Sequence, residues 1–522
     1  MSHVTAKIQS SELRTSLSQR RCEILHRIRL PVSSAAASVQ EVRPPGPNPR
    51  WLIGNPIPGY RQWLKFEEWR KIYGNVVQIT VVGQPTVILS SLKAASDLLD
   101  ARGTIYSDRP PAIMAGELVG WARGLGYSPY NLRFREFRRM FHQYIGARAC
   151  QEPDFLAIQE SENKKFLRRI SKDPDGFMEH ARESTGSLIL RLAYGYSTVQ
   201  NNDPFVKIAE DAMHGFARAS EPGRFWVDSF PILRHVPSWL PGAGFKIIAR
   251  HMREDLERLY NVPFDFVKSE MNRDSALPSF ISSYLEEKAG TPTLEEEEEF
   301  IKAASASLYS GTPSAVTSFI LAMTLNPAVQ SRAQAELDAV ICSNDDTAVR
   351  LPKFADRECL PYVNAIVKEV LRWNPSVPLG LPHMVTEDDV YQSYHIKKGT
   401  VVWANIWSIL HDESVYPDPF ELRPDRYLDE DGKLRQLGKA EDPATAAFGF
   451  GRRICPGLFL ADNSIFLAIA MMLYVFNISK TKDQHGVEIT PAVEYDGHPR
   501  PFICSIQPRS PQLTALIVGS SV

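Results

Sequence analysis

The sequence predicts a mainly α fold with small β-sheets, and three patterns carry that prediction. Between about residues 90 and 350, apolar side chains recur with helical spacing, interrupted by breaks such as 202–204 and 237–242. Strand-like runs are few: the β-rich stretches 76–82 and 86–89 flank Gly83-Gln84-Pro85, which predicts a hairpin. Residues 458–476 are so uniformly apolar that we expect them to form a buried helix.

The composition is that of a globular protein without a nucleic-acid partner. The 522 residues are 43% hydrophobic and 23% charged, and the formal net charge of −2 gives no electrostatic basis for binding nucleic acid. Six cysteines are scattered along the chain, which argues against a disulfide framework and favours a reducing compartment. They are Cys22, Cys150, Cys342, Cys359, Cys455 and Cys504.

Residues 1–43 differ in character from the rest of the chain. They are rich in serine and arginine and contain no apolar run, so we expect a disordered leader without a transmembrane helix. The run Pro44-Pro45-Gly46-Pro47 predicts a stiff entry to the globular part. We expect residues 44–522 to form a single domain.

One cysteine has surroundings suited to a metal-containing cofactor. Cys455 directly precedes the apolar stretch, so it falls near a helix N-terminus, where unpaired amides favour a thiolate. Gly449 and Gly451 permit the backbone to approach a large planar ligand, and Phe448 and Phe450 could pack against its face. A single thiolate in a dry pocket suits axial ligation of haem iron. The alternative is a buried structural cysteine.

The segment 448–457, hereafter the cysteine loop, resembles the haem-binding signature of the cytochrome P-450 superfamily, Phe-x-x-Gly-x-Arg-x-Cys-x-Gly. Every fixed position is filled, by Phe448, Gly451, Arg453, Cys455 and Gly457. The resemblance implies the cytochrome P-450 fold around one buried heme b (iron protoporphyrin IX), with these residues at the cofactor and Cys455 as the axial iron ligand. Residues 44–522 would then be one haem-thiolate catalytic domain, similar to fungal microsomal-type members.

Two further segments resemble a structural element of the family. Glu369 and Arg372 share one face of a helix that we expect between Pro361 and Asn374. The resemblance implies that these two residues and Arg426 form a buried ionic triad that locks the cysteine loop to the helix behind it. An ordinary surface pair is the alternative for Glu369 and Arg372. The residue after Arg426 is a tyrosine, where the family usually has phenylalanine.

The resemblance extends to two residues that would bind the haem propionates. The stretch 134–139 is similar to the family helix in which Trp-x-x-x-Arg places an arginine on a propionate, although Phe134 replaces the tryptophan and removes its N–H donor. Arg138 is the implied propionate ligand, and a basic face for a redox partner is the alternative. His383 falls where many members carry a basic residue facing the other propionate, and a structural histidine is its alternative.

The region implied to activate oxygen departs from the family pattern. Members carry an acid and a threonine on a long central helix, and these groups deliver protons during oxygen activation. The predicted helix 300–326 lacks this acid–threonine pair and contains Pro313, which we expect to kink it. Aligned with a gap, Thr312 takes the place of the threonine; aligned without one, Ser314 does. Both hydroxyl groups are therefore candidate catalytic groups.

The resemblance implies a haem-thiolate monooxygenase of secondary metabolism that inserts one oxygen atom from O2 into a lipophilic small organic substrate. Electrons would come from NADPH through a reductase partner. Family analogy implies the cytosolic face of the endoplasmic reticulum membrane; because the leader carries no anchor, peripheral membrane contact or a cytoplasmic location is the alternative. The altered central helix leaves two other functions open: a peroxide-driven or isomerising haem-thiolate enzyme, and a haem-binding protein of low activity.

Overall fold

Helices form most of the protein, as the sequence predicts. The computed structural model describes residues 42–51, 53–199, 203–290, 294–309, 314–342 and 349–518. The longer helices are α1 (Gln62–Tyr73), α2 (Leu132–Ile145), α3 (Pro153–Lys172), α4 (Phe177–Tyr194), α5 (Pro204–Ser220), α6 (Phe245–Met271), α7 (Phe280–Lys288), α8 (Leu294–Leu308), α9 (Ser314–Leu325), α10 (Pro327–Cys342), α11 (Pro361–Trp373), α12 (Leu458–Val475) and α13 (Pro511–Val518).

Short helical segments connect these elements. The α-helical ones are Leu92–Ala95, Gly103–Tyr106, Trp226–Ser229, Ile406–Leu410 and Ala444–Ala447, and two π-helical turns span Ser96–Ala101 and Ile113–Val119. Turns of 3-10 helix lie at Trp121–Arg123, Ala149–Gln151, Pro231–His235, Phe354–Cys359, Pro424–Tyr427 and Gly451–Arg453.

Within the described residues, the strands form one mixed sheet and three small antiparallel pairs. Their bounds are β1 (Val76–Val81), β2 (Gln84–Leu89), β3 (His383–Met384), β4 (Asp389–Tyr391), β5 (Tyr394–Ile396), β6 (Val401–Ala404), β7 (Phe476–Ser479), β8 (Thr481–Lys482), β9 (Glu488–Ile489) and β10 (Ser505–Pro508). The mixed sheet has the order β1-β2-β6-β3, in which only β2 and β6 are parallel. The other pairs are β7 with β10, β4 with β5, and β8 with β9.

The predicted hairpin is present, but its turn lies earlier than expected. Strands β1 and β2 pair directly up to Val81 and Gln84, so the turn consists of Val82 and Gly83. Both have positive φ, 47° and 81°, as a two-residue hairpin turn of the favoured twist requires. Because the turn closes within these two residues, Gln84 and Pro85 belong to the second strand rather than to the turn.

The predicted apolar helix is the centre of the core. Helix α12 packs in one fully buried cluster with Ile320 of α9 and with Ile366 and Val370 of α11. Among the described residues it is the one helix long and apolar enough to cross a membrane, and 67% of it is buried inside the protein. That burial is typical of a core helix. The prediction made for the leader falls almost entirely on residues 1–41, which lie outside the described residues.

The single kinked helix predicted at 300–326 is wrong, because the structure has two helices there. Helix α8 ends at Leu308 and α9 begins at Ser314. The sequence between them contains Gly311 and Pro313. Glycine is a poor helix former, and proline both lacks an amide donor and clashes with the preceding turn, so the pair opposes a continuous helix. Helix α11, by contrast, has the predicted extent, Pro361–Trp373.

Candidate functional site

The cysteine loop connects the short helix Ala444–Ala447 to α12 and is closed by its own backbone. The Cys455 amide donates to the Phe448 carbonyl over 2.8 Å, which draws the two ends of the loop together. The Cys455 thiol is free and half-buried. Burial raises its pKa, while the Gly457 N–H and the Arg138 guanidinium oppose that rise. The sulfur is thus held among positive groups that would stabilise a thiolate once a metal displaces the proton.

Two glycines shape the loop, and one of them approaches another part of the chain. Gly449 and Gly451 have φ of 78° and 56°, in the region that glycine adopts without strain. A Cβ on Gly451 would lie 2.0 Å from the Leu99 carbonyl oxygen, and the Gly451 amide donates to the Asp100 carboxylate. The close approach that the sequence suggested is therefore made to the chain at residues 99–100.

The two phenylalanines of the loop pack against the core, and its last glycine lies beside the thiol. Phe448 is half-buried against the core around α12, and Phe450 is buried in the cluster that includes Leu98 and Leu99. A Cβ on Gly457 would lie 3.9 Å from the Cys455 sulfur. Glycine at this position leaves the space beside the thiol open.

Arg453 is buried beside the cysteine and is held by backbone carbonyls. Its Nε donates to the Ser107 carbonyl over 2.7 Å and its Nη2 to the Ser128 carbonyl over 2.8 Å. Its Nη1 is buried and has no hydrogen-bond partner within the described part of the chain. Burial lowers the pKa of Arg453 to about 10. A buried N–H without a partner is rare in folded proteins and points to a missing acceptor.

Two more arginines lie at the same place. Arg138 on α2 donates through Nη1 to the Ile454 carbonyl over 2.6 Å, directly before the cysteine. Arg109 donates to the Leu381 and Pro382 carbonyls over 2.9 and 2.6 Å, and its pKa is lowered to about 9 by burial and then by the Arg453 charge. Sequence reasoning missed Arg109, because its partners are backbone atoms of distant loops and leave no residue pattern.

Arg109, Arg138 and Arg453 form what we call the guanidinium cluster. Throughout the described residues their hydrogen bonds go to backbone carbonyls, and no ion pair with a carboxylate accompanies them. The Asp108 carboxylate lies near enough to oppose the lowering of the Arg109 and Arg453 pKa, but burial outweighs it. Buried charges are normally paired, so this cluster fits an anion that the chain does not itself supply. A ligand with two carboxylates and a metal for the thiol, as iron protoporphyrin has, matches the donor set.

His383 lies next to this cluster. It is buried at the start of β3, and its Nδ1 lies 2.7 Å from the Tyr106 carbonyl oxygen. Burial, followed by the nearby Arg109 charge, lowers its pKa to about 3, so the ring is neutral near pH 7. With the proton on Nδ1 donated to Tyr106, Nε2 is an acceptor. An anion beside it would oppose this shift and favour the charged ring.

Comparison with known proteins shows which family the chain belongs to. The family model Cytochrome P-450 matches residues 44–495. The chain belongs to the cytochrome P-450 family. It is 46% identical to cytochrome P-450 monooxygenase 208 of Postia placenta, over 91% of this chain and 92% of that protein. It is 42% identical to cytochrome P-450 monooxygenase claR of Ampulloclitocybe clavipes (91% and 88%) and 38% identical to tryptamine 4-monooxygenase of Psilocybe cyanescens (91% and 95%).

As a member of this family, the protein is a haem-thiolate monooxygenase with a mainly helical fold, as the sequence led us to expect. Cytochromes P-450 hold haem iron through a cysteine thiolate. When bound, the haem supplies the activation of O2. The fungal relatives are all named as monooxygenases.

The structure brings the three residues of the predicted triad together. Glu369 Oε2 and Oε1 accept from Arg372 Nε and Nη2 over 2.8 and 2.9 Å, and Arg426 Nε donates to Oε1 over 3.2 Å. Glu369 and Arg372 are fully buried. Tyr427 adds a donor, its hydroxyl lying 3.0 Å from Oε2. The sequence could have predicted this contact, because tyrosine has a hydroxyl donor that the family's usual phenylalanine lacks.

The triad joins α11 to the segment around 410–427. Beyond Glu369, the Arg372 guanidinium donates to the Leu410, Pro419 and Glu421 carbonyls over 2.7 to 3.2 Å. These contacts fix the chain that leads toward the cysteine loop onto the helix behind it. The negative charge of Glu369 is thus balanced by cations of its own chain. Among the described residues, no carboxylate forms an ion pair with the guanidinium cluster.

Of the two candidate catalytic hydroxyl groups, the structure describes only that of Ser314. Ser314, at the start of α9, is fully buried and donates to the Gly497 carbonyl over 2.7 Å. Its proton is therefore engaged with the C-terminal loop. Thr312 lies outside the described residues. The sequence from Lys302 to Leu325 contains no aspartate or glutamate, so neither helix at the break supplies an acid there.

Replacing Glu369 with glutamine should destabilise the protein strongly. The substitution removes the charge that compensates Arg372, which has no solvent access, and a broken buried pair costs about 3–5 kcal/mol of the free energy of unfolding. Chemical denaturation followed by circular dichroism measures this. The matched control is Glu68→Gln, which breaks the exposed pair with Lys65 and should cost under about 1 kcal/mol. Equal small losses in both variants would contradict a stabilising role for the triad.

Proposed function

We propose that Cys455 is the axial ligand of heme b and that the guanidinium cluster binds the haem carboxylates. The observation that carries this proposal is the buried positive charge beside a free thiol, with Arg453 Nη1 lacking a partner among the described residues. Charge-assisted hydrogen bonds from arginine to carboxylate are short and strong, so two propionates would repay the burial of these cations. Gly457 leaves room at the sulfur, and Phe448 supports the loop from the core side.

In this proposal His383 binds a propionate only in its protonated form. A neutral ring whose Nδ1–H is donated to Tyr106 offers no donor at Nε2. A carboxylate beside Nε2 would raise the pKa of His383 from its low value, because an opposite charge stabilises the imidazolium. Haem binding and proton uptake by His383 would therefore be linked.

We further propose that electrons reach the haem from NADPH through a reductase that docks near the cysteine loop. Arg452 of this loop and Arg135, Arg139 and Arg148 are exposed, although Arg139 pairs with Glu136 and Arg148 with Glu152. Such a group of cations suits a partner with an acidic docking face, because complementary charge steers association. Arg138, in contrast, donates inward to the loop.

The proposed substrate is a lipophilic small organic molecule. An aromatic group formed by Trp121, Tyr127 and Phe216 borders the guanidinium cluster, with ring centroids 4.9 and 5.8 Å apart. Tyr127 lies between Gly126 and Ser128, whose carbonyls accept from Arg109 and Arg453. Aromatic side chains bind flat apolar ligands well, and the relative from Psilocybe cyanescens is named tryptamine 4-monooxygenase. The hydroxyl groups of Thr312 and Ser314 remain the groups that we propose deliver protons during oxygen activation.

A test of this function supplies the enzyme with isotopically heavy oxygen gas, NADPH, a fungal reductase and a panel of lipophilic substrates that includes tryptamine. We expect NADPH-dependent product that contains one heavy oxygen atom. The rival peroxide-driven or isomerising enzyme is favoured by the absence of an acid between residues 302 and 325. Product formed only with hydrogen peroxide, or product without oxygen from the gas, would establish that rival instead.

We also propose that the segment 226–247 touches the endoplasmic reticulum membrane from the cytosolic side. Its large apolar side chains are unusually exposed: Trp226 is 66% exposed, Ile232 73% and Trp239 79%. Tryptophan is favoured at membrane interfaces, and the neighbouring Lys246 and Arg250 suit anionic lipid headgroups.

Replacing both Trp226 and Trp239 with serine should reduce binding of the full chain to phosphatidylcholine–phosphatidylserine vesicles by about tenfold, because apolar area at the interface is lost. Cosedimentation measures the bound fraction. Leu132→Ser, at another exposed apolar residue (78% exposed), is the matched control and should bind as the wild type does. A double variant that sediments like the wild type would contradict this membrane contact.

A further inference from the structure

Phe134 lies directly beneath the guanidinium of Arg453. The Arg453 Cζ is 3.8 Å from the centroid of the Phe134 ring. Phe134 is 2% exposed and stands in the first turn of α2, where the Asn131 side chain accepts from its amide over 3.0 Å. The helix cap thus fixes the position from which the ring meets the arginine.

The ring completes the fixation of Arg453. Two of its donors, Nε and Nη2, are committed to the Ser107 and Ser128 carbonyls. Those bonds fix two edges of the planar group, and the ring covers its face. What is left is Nη1, the one buried side-chain nitrogen of Arg453 that has no partner in the residues described.

We propose that Phe134 is a positioning residue that holds the Arg453 guanidinium by a cation–π interaction, so that Nη1 is presented to a haem carboxylate. This inference rests on the proposed function, in which the guanidinium cluster binds the haem. The position is the one at which the sequence departs from the family's tryptophan. An indole would itself donate a hydrogen bond, whereas phenylalanine acts here only through the arginine.

An aromatic ring suits this place better than an acid would. Arg453 is 9% exposed, and burial lowers its pKa although the Asp108 charge opposes that shift, so further negative potential beside the guanidinium would stabilise the cation. The face of a ring provides such potential, most strongly where the cation is desolvated. A carboxylate at the same place would occupy Nη1 and compete with the carboxylate of the cofactor. The next turn of α2 places Arg138 against Ile454, so one helix face holds the loop on both sides of the cysteine.

The test measures how fast the holoenzyme transfers its haem to apomyoglobin. Phe134→Leu keeps an apolar side chain but removes the ring, and we expect about tenfold faster haem loss. Phe134→Tyr keeps the ring and should stay within about twofold of the wild type. If Phe134 acts through the arginine, Phe134→Leu should add almost nothing in an Arg453→Gln background.

Three results would overturn the inference: unchanged haem loss in Phe134→Leu, equal acceleration in the leucine and tyrosine variants, or an equal effect of Phe134→Leu with and without Arg453. The last of these would indicate simple packing. The carbon monoxide spectrum of reduced Phe134→Leu should remain that of a thiolate complex, because the iron ligand is untouched. Absence of that spectrum from the wild type would instead overturn the proposed function, so the two failures are distinguishable.

Discussion

Positive charge that forms no ion pair among the described residues, beside a half-buried thiol, is the constraint on which the rest of the site depends. Within the described residues, the buried Arg109 and Arg453 and the half-buried Arg138 donate to backbone carbonyls. Burial lowers the pKa of Arg109 to about 9 and that of Arg453 to about 10. Burying a cation without a paired anion is costly, so a negatively charged ligand would stabilise the arrangement. The carboxylates and iron of a haem would supply both the anion and the metal.

The same arginines explain why distant loops meet at this place. Carbonyls of residues 107, 126, 128, 381, 382 and 454 accept from the cluster. The triad of Glu369, Arg372 and Arg426 has the opposite character, because Glu369 is surrounded by donors from its own chain. A charge balanced within the chain stabilises the fold, whereas a charge left unbalanced recruits a ligand. By this distinction, Arg372 and Arg426 are structural and the guanidinium cluster is the proposed cofactor site.

The contiguous features of the site could be predicted from the sequence. The cysteine loop, α11 and the apolar helix α12 are each one contiguous stretch with a recognisable residue spacing. Glu369 and Arg372 are one helical turn apart, so their pairing could also be predicted. Arg109 could not be found in this way. Its partners are backbone carbonyls, which every residue type has, so the sequence does not reveal them. The contact of Gly451 with Leu99 was hidden for a related reason: it joins segments some 350 positions apart, as the bond from its amide to Asp100 does.

The predicted helix 300–326 shows a different limit. Its apolar pattern was recognised, but the residues between its two halves determine that it is not continuous. The expected helix ends at Leu308 and resumes at Ser314, because glycine and proline between them oppose its continuation.

The most direct measurement of the central claim is the carbon monoxide difference spectrum of the reduced protein, compared between wild type and Cys455→Ser. If Cys455 is the thiolate ligand at the guanidinium cluster, the wild type gives the red-shifted Soret band of a thiolate complex and the variant loses it. A thiolate spectrum that persists in Cys455→Ser would contradict the account.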